Sequence, residues 1–145
     1  VGDGPMGKQL REMARELPVR FTGFLNQSEI TAAYAASDCL LLPSDSGETW
    51  GLVVNEAMAC GLPALVSDQV GCARNLVDPG ATGDVFACGD VAALAELIER
   101  HSLRPETLAA MGSGARMRVR SDYNFERVVE GAMAALAFVA RMKSP

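Results

Sequence analysis

Apolar positions along this 145-residue chain switch between two rhythms. In Lys8–Leu17, Leu10, Met13, Ala14 and Leu17 recur at helical spacing, which predicts a helix. Pro5 suits its first turn, since proline lacks the N–H that would be orphaned there, and Pro18 ends it. Val19-Arg20-Phe21-Thr22-Gly23 alternates and is rich in strand formers, so a strand is predicted. Ser28 can cap a second helix running to Ser37. Cys39-Leu40-Leu41-Leu42-Pro43 is wholly apolar and closed by proline, the pattern of a strand buried on both faces of a parallel sheet.

The polar run Ser44-Asp45-Ser46-Gly47-Glu48-Thr49 reads as a loop. Leu52–Cys60 follows as a mostly apolar helix, with Gly61 as its C′ residue and Pro63 preventing its continuation. Ala64–Ser67 reads as a second buried strand, Ala73–Val77 as a short helix, and Asp84–Ala87 as a further strand. Val91–Arg100, Glu106–Met117 and Glu126–Met142 read as helices. Asp90 caps the first of these and Pro105 starts the second. The last carries Val129, Met133, Leu136 and Val139 near one face. Short apolar strands alternating with helices predict an α/β fold: a parallel sheet with helices on both faces, in three α/β/α layers. In such sheets ligands bind at the carboxyl ends of the strands, which is where the loop after Pro43 lies.

Composition fits one domain with one core, assigned to residues 1–145. Val1-Gly2-Asp3-Gly4 reads like the end of a strand entering a loop, so a strand upstream of this sequence is expected. Net charge is −5, and there is no long basic run, which argues against nucleic acid as a partner. The distribution says more. From Phe21 to Ala73 there is no Lys or Arg, whereas Glu29, Asp38, Asp45, Glu48, Glu56 and Asp68 are acidic. A phosphate bound in that stretch must be held by backbone N–H groups or by cations from elsewhere. Cys39, Cys60, Cys72 and Cys88 form no C-x-x-C pair and read as small buried hydrophobes in a reducing compartment. No signal peptide and no run long enough for a membrane span is visible.

The loop and helix around Glu48 hold the candidate chemistry. Gly47 and Gly51 bracket Glu48-Thr49-Trp50, allowing tight geometry and close approach to a ligand. The first N–H groups of the following helix, at Gly51, Leu52 and Val53, lack intrahelical partners and face outward with the positive end of the helix dipole. They offer a site for a diphosphate. Glu56 lies about one turn into a helix whose composition looks buried, so its carboxylate needs partners. The two hydroxyls of a ribose diol match its two oxygens. Glu48, on the loop side, is placed to bind sugar hydroxyls. On the residues alone, a solvated loop charge at Glu48 and an outward-pointing Glu56 remain open alternatives.

Glu48 and Glu56 are separated by seven residues. The stretch from Pro43-Ser44 through Glu48-Thr49-Trp50-Gly51-Leu52-Val53-Val54-Asn55-Glu56-Ala57-Met58-Ala59-Cys60-Gly61-Leu62-Pro63 resembles the signature of the retaining family 4 glycosyltransferases, also called group 1. Val1-Gly2-Asp3-Gly4-Pro5, Phe21-Thr22-Gly23-Phe24, Ala36-Ser37-Asp38, Val70-Gly71-Cys72, Leu76-Val77, Thr82-Gly83 and Gly89-Asp90 match further landmarks in order.

The resemblance implies a GT-B enzyme, built of two Rossmann-like domains with the active site between them. This chain would be the carboxy-terminal, nucleotide-sugar-binding domain, truncated by its first strand and lacking the amino-terminal acceptor domain. It implies that Glu48 contacts the donor sugar and is the catalytic candidate. Thr49, Trp50 and the amides of Gly51, Leu52 and Val53 would line the diphosphate, Glu56 would bind the ribose, and Phe24 and Leu25 would lie beside the base. The implied activity is transfer of a hexosyl group from a nucleotide-diphosphate sugar to a glycan, lipid or small acceptor with retention of configuration. No cofactor and no metal are expected. The family's diphosphate-binding Arg and Lys would belong to sequence upstream of Val1. The expected location is cytoplasmic, at the inner membrane face if the parent touches lipid, and exposed apolar surface would favour self-association of the piece.

Other signals compete. Gly2-Asp3-Gly4-Pro5-Met6-Gly7 spells a dinucleotide fingerprint. The acidic residue that should follow about 20 positions later is missing from Phe24-Leu25-Asn26-Gln27, and Pro5 removes an N–H from the cradle. A nucleotide- or dinucleotide-binding Rossmann module without transferase activity is the alternative reading. His101, the single histidine, is expected to cap a helix end. Glu48 and Glu56 as a glycosidase pair fit less well, since Glu56 should face a phosphate-side pocket. Arg116, Arg118 and Arg120 read as a solvated helix terminus, with anionic lipid as the competing partner.

Overall fold

The computed structural model describes residues 1–142. They fall into two compact units, Val1–Ala36 and Ser37 onward.

In the amino-terminal unit, α1 covers Gly7–Met13 and α2 covers Gln27–Ala35. The α1 helix is shorter than its periodicity predicts. It closes on Ala14, and Arg15–Leu17 continue as turns. Pro5 lies one residue before the N-cap Met6, in the turn leading into the helix. Residues 19–22 form no strand. A strand needs a ladder, and here the backbone pairing is a single antiparallel bridge, with the Gly2 N–H donating to the Gly23 carbonyl at 2.7 Å. Phe21 instead lies under the Arg11 guanidinium, 4.7 Å from its ring centroid. The cap of α2 is Asn26, not Ser28. Its Oδ1 accepts from the Ser28 and Glu29 N–H groups, and Glu29 returns a bond to the Asn26 N–H, closing a capping box.

The second unit contains a three-stranded parallel sheet, β1 (Leu40–Leu42), β2 (Ala64–Ser67) and β3 (Gly83–Phe86), paired in that order. Parallel neighbours require crossovers. The helices α3 (Leu52–Ala59) and α4 (Ala73–Leu76) supply them. Three helices follow: α5 (Val91–Ser102), α6 (Pro105–Asp122) and α7 (Phe125–Met142). Asp90 caps α5 as expected, accepting from the Ala93 N–H at 2.9 Å, and Pro105 begins α6. The α6 helix runs past the predicted Met117 to Asp122.

The strands place alternate residues on opposite faces. Ala64 and Val66 meet Val54 and Met58 of α3, Ala73 and Leu76 of α4, and Ala115 and Val119 of α6, which together form the core. Leu41 and Leu65 face the other way. There they line a cleft of about 490 Å³ with Ile98 and His101 of α5 and Leu108 of α6. That cleft explains why β1 is not buried on both faces: Leu41 remains 41% exposed. His101 does not cap a helix. It is buried and bonds the β3 residue Asp84 (Nε2 to Oδ2, 2.7 Å), and Arg100 joins the same oxygen at 3.2 Å. No described helix is long and apolar enough to cross a membrane.

Candidate functional site

The carboxyl ends of the three strands are tied side by side. Ser67 donates its hydroxyl to the Ser44 carbonyl. The Cys88 N–H donates to Asp68 Oδ1 at 2.9 Å, and the Asp68 N–H donates to the Phe86 carbonyl at 2.9 Å. The polar loop leaving β1 is folded by its own groups. Asp45 Oδ1 accepts from the Gly47 N–H at 3.0 Å, and the Asp45 carbonyl accepts from the Glu48 N–H at 3.2 Å. This short-range turn chemistry places Glu48 at the rim of the sheet, half-buried.

Thr49 and Trp50 carry the chain to Gly51, the N-cap of α3. Gly51 takes φ 92°, a left-handed conformation that side chains resist. A Cβ there would also press on Val70 Cγ1 at 2.9 Å. Gly71 lies against the same loop, and a Cβ on it would fall on the Thr49 carbonyl oxygen. The Cys72 N–H donates to the Trp50 carbonyl at 2.8 Å, so the segments 49–51 and 70–72 are in backbone contact.

No side chain caps α3, and no acidic residue lies in its first turn. The N–H groups at its start are therefore available to an anion along with the helix dipole. The other end is closed by backbone, Gly61 N–H to the Met58 carbonyl at 2.9 Å and Leu62 N–H to the Ala57 carbonyl at 3.0 Å.

The α3 helix is buried on one face, through Val54, Ala57 and Met58, and open on the other. Glu56 lies on the open side with Leu52. The expectation of a buried helix is corrected here: the apolar residues of α3 cluster on the core face and leave Glu56 reachable. Thus Glu48, Thr49, Trp50, Gly51, Leu52, Val53 and Glu56 share one loop–helix element at the carboxyl edge of the sheet. Phe24 and Leu25 belong to the amino-terminal unit, between Gly23 and the α2 cap, and Phe24 is 78% exposed.

Beneath the loop, burial pushes the Cys72 thiol up to about 11. A backbone hydrogen bond opposes the rise, and the negative charge of Glu48 adds to it. The thiol stays protonated near neutrality and approaches the Gly51 carbonyl at 3.9 Å. Of the other cysteines, Cys60 and Cys88 are exposed and not buried as expected. No three described His, Cys, Asp or Glu side chains gather as a metal site would require. Arg118 is held by Asp78 Oδ2 at 3.0 Å and the Asn75 carbonyl at 2.8 Å, so it is a structural residue.

The sequence reading missed the supports of this element: the Ser44–Ser67 and Asp68–Cys88 ties, and the packing of Trp50. The positions of Ser67, the last residue of a buried strand, and Asp68, just past it, were a usable signal for the first two. Nothing in the spacing signals the third.

The chain is similar to known proteins. A family profile described as "Glycosyl transferases group 1" matches residues 1–118. The sulfoquinovosyl transferase SQD2 of Arabidopsis thaliana is 37% identical over 119 residues, covering 80% of this chain and 23% of that protein. A GDP-mannose-dependent alpha-(1-6)-phosphatidylinositol dimannoside mannosyltransferase of Mycobacterium tuberculosis is 30% identical over 142 residues, covering 97% of this chain and 35% of that protein. Among solved structures, the sucrose-phosphate synthase of Thermosynechococcus elongatus superimposes with a TM-score of 0.80 at 30% identity, over 96% of this chain and 37% of that one. The Anabaena protein HepE, in complex with UDP-glucose, gives 0.74 at 26% identity, over 96% and 39%. The chain thus spans about a quarter to two fifths of the length of these proteins. The parallel sheet with its crossover helices is a GT-B Rossmann-like domain, and the chain belongs to the group 1 glycosyltransferases.

Proposed function

We propose that this chain is the donor-binding half of a retaining hexosyltransferase, whose parent moves a hexosyl group from a nucleotide-diphosphate sugar to a glycan, lipid or small acceptor. The observation that carries this reading is the uncapped start of α3 at Gly51, with Glu48 on one side and Glu56 on the other. The diphosphate rests on the amides of Gly51, Leu52 and Val53. Glu56 takes the ribose diol on the open face of α3. Glu48 takes hydroxyls of the donor sugar, with Thr49 and Trp50 lining the path between.

In the transfer, the bond from the sugar C1 to the phosphate oxygen breaks, and its electron pair goes to the diphosphate. The acceptor oxygen bonds to C1, and its proton passes to an oxygen of the departing diphosphate. The helix amides stabilise the charge gathering on the leaving diphosphate, where fixed dipoles need no rearrangement. No metal is assigned a role, and the acceptor side is assigned to a second domain of the parent. The solved complex of HepE with UDP-glucose supports trying uridine nucleotides first.

Calorimetric titration of the chain with UDP, GDP and ADP, with and without EDTA, tests the assignment. Glu56→Ala should weaken the best of the three about tenfold to hundredfold, the worth of hydrogen bonds to a charged group. EDTA should leave binding unchanged. Equal affinity in Glu56→Ala would remove that residue from the site, and loss of binding in EDTA would require a metal.

A further inference from the structure

Trp50 is the single tryptophan of the chain and stands between Glu48 and Gly51. Its contacts lead to three other elements. The indole N–H donates to Asn55 Oδ1 on α3 at 2.8 Å. The Trp50 carbonyl accepts from Cys72, the N-cap of α4, at 2.8 Å. The ring faces Tyr123, with centroids 6.2 Å apart and planes at 40°, within the range where aromatic pairs attract beyond the area they bury.

Tyr123 is itself fixed. It caps α6, its N–H donating to the Val119 carbonyl at 3.0 Å. Its hydroxyl donates to the Asn75 carbonyl at 2.9 Å, the same oxygen that takes the Arg118 guanidinium at 2.8 Å. Trp50 and Tyr123 both pack, half-buried, against the core formed by α3, α4, α6 and the sheet.

The loop needs such a support. Its other residues, Ser44 to Thr49, are small or polar, and the bonds among them are local. The backbone contact with residues 70–72, the approach of the Cys72 thiol to the Gly51 carbonyl and the Trp50 side chain tie its distal end to the body of the unit.

We infer that Tyr123 is a positioning residue for the donor site. It holds the Trp50 indole, and through it sets Glu48 and the Gly51–Val53 amides before a nucleotide arrives. Tyr123 reaches the proposed ligand path through Trp50, the residue that lines it. It lies immediately before Asn124, whose Oδ1 accepts from the Arg127 N–H at 2.8 Å at the start of α7, so the donor loop is braced on the junction between the last two helices. The inference rests on the donor-site reading above.

The test uses Trp50 emission and calorimetric titration with UDP, GDP and ADP on the whole chain. Removing the ring with Tyr123→Ala should shift Trp50 emission to longer wavelength and weaken the best nucleotide by about tenfold, the cost of lost preorganisation. Tyr123→Phe keeps the ring and should restore both readouts to near the unsubstituted values. If Tyr123→Ala fails to fold, Tyr123→Leu fills the volume without a ring and carries the same expectations. Unmoved emission, or unaltered affinity, in a folded ring-free variant overturns the inference while leaving the donor site intact. An unsubstituted chain that binds none of the three nucleotides overturns both.

Discussion

The amino-terminal unit and the sheet of the second unit put their apolar residues to opposite effect. In Val1–Ala36, Tyr34 is buried, while Met6, Leu10, Met13, Leu17, Val19, Phe21 and Phe24 are exposed. In the sheet unit, Val54, Met58, Leu65, Val66 and Leu76 are wholly or almost wholly shielded. The difference is one of partners. Ala64–Ser67 has a parallel neighbour on each side and helices above, so each residue gains both a ladder bond and a packed side chain. Val19–Thr22, with Val19, Phe21 and Thr22, is richer in strand formers but holds no ladder. Strand propensity is a preference for a half-buried pleated surface, and it is expressed only where that surface exists.

Three substitutions test this contrast, in falling order of effect. Met58→Ala should cost about 2–5 kcal/mol in a urea titration, because the cavity it opens in α3 is enclosed by the sheet and α6. Gly71→Ala should cost about 1–3 kcal/mol by the same measurement, since the new methyl must displace the Thr49 carbonyl. Because that carbonyl belongs to the donor loop, nucleotide affinity should fall with it, and destabilisation without loss of affinity would uncouple segment 70–72 from the site. Met13→Ala should change stability by less than about 0.5 kcal/mol, as expected for an exposed side chain. A loss at Met13 comparable to that at Met58 would mean that the Met13 side chain is packed and not exposed.

The legible parts of the sequence were those whose signals are local. Leu52–Ala59 could be read because its start, its Gly61 cap and its Pro63 stop lie in or next to the element, and Ala64–Ser67 because four consecutive small or apolar residues between turn residues admit few alternatives. Asp90 was read as a cap for the same reason. Distant neighbours decided the rest. His101 looked like a helix cap because Asp84, its partner, lies seventeen positions away on a strand. Leu41 looked buried because nothing in its own run records the cleft on that face. Asn26 displaced Ser28 as the α2 cap, although both are capping residues, because Glu29 falls three positions after Asn26 and completes the box. At the candidate site, the loop, the Gly51 turn and the two carboxylates were visible. The exposure of Glu56 and the bracing of Trp50 were not, since both depend on which face of α3 meets the core.

The lack of Lys and Arg between residues 21 and 73 has a kinetic consequence. The pull of a helix start fades within a turn, whereas the carboxylates at this edge, Asp45, Glu48 and Asp68, act over a screening length of about 8 Å at physiological ionic strength. An approaching diphosphate therefore meets repulsion before it meets the amides. Added salt screens both, but the repulsion acts at longer range and governs the approach, so capture at this edge should quicken as ionic strength rises. A site lined with lysines and arginines would show the reverse.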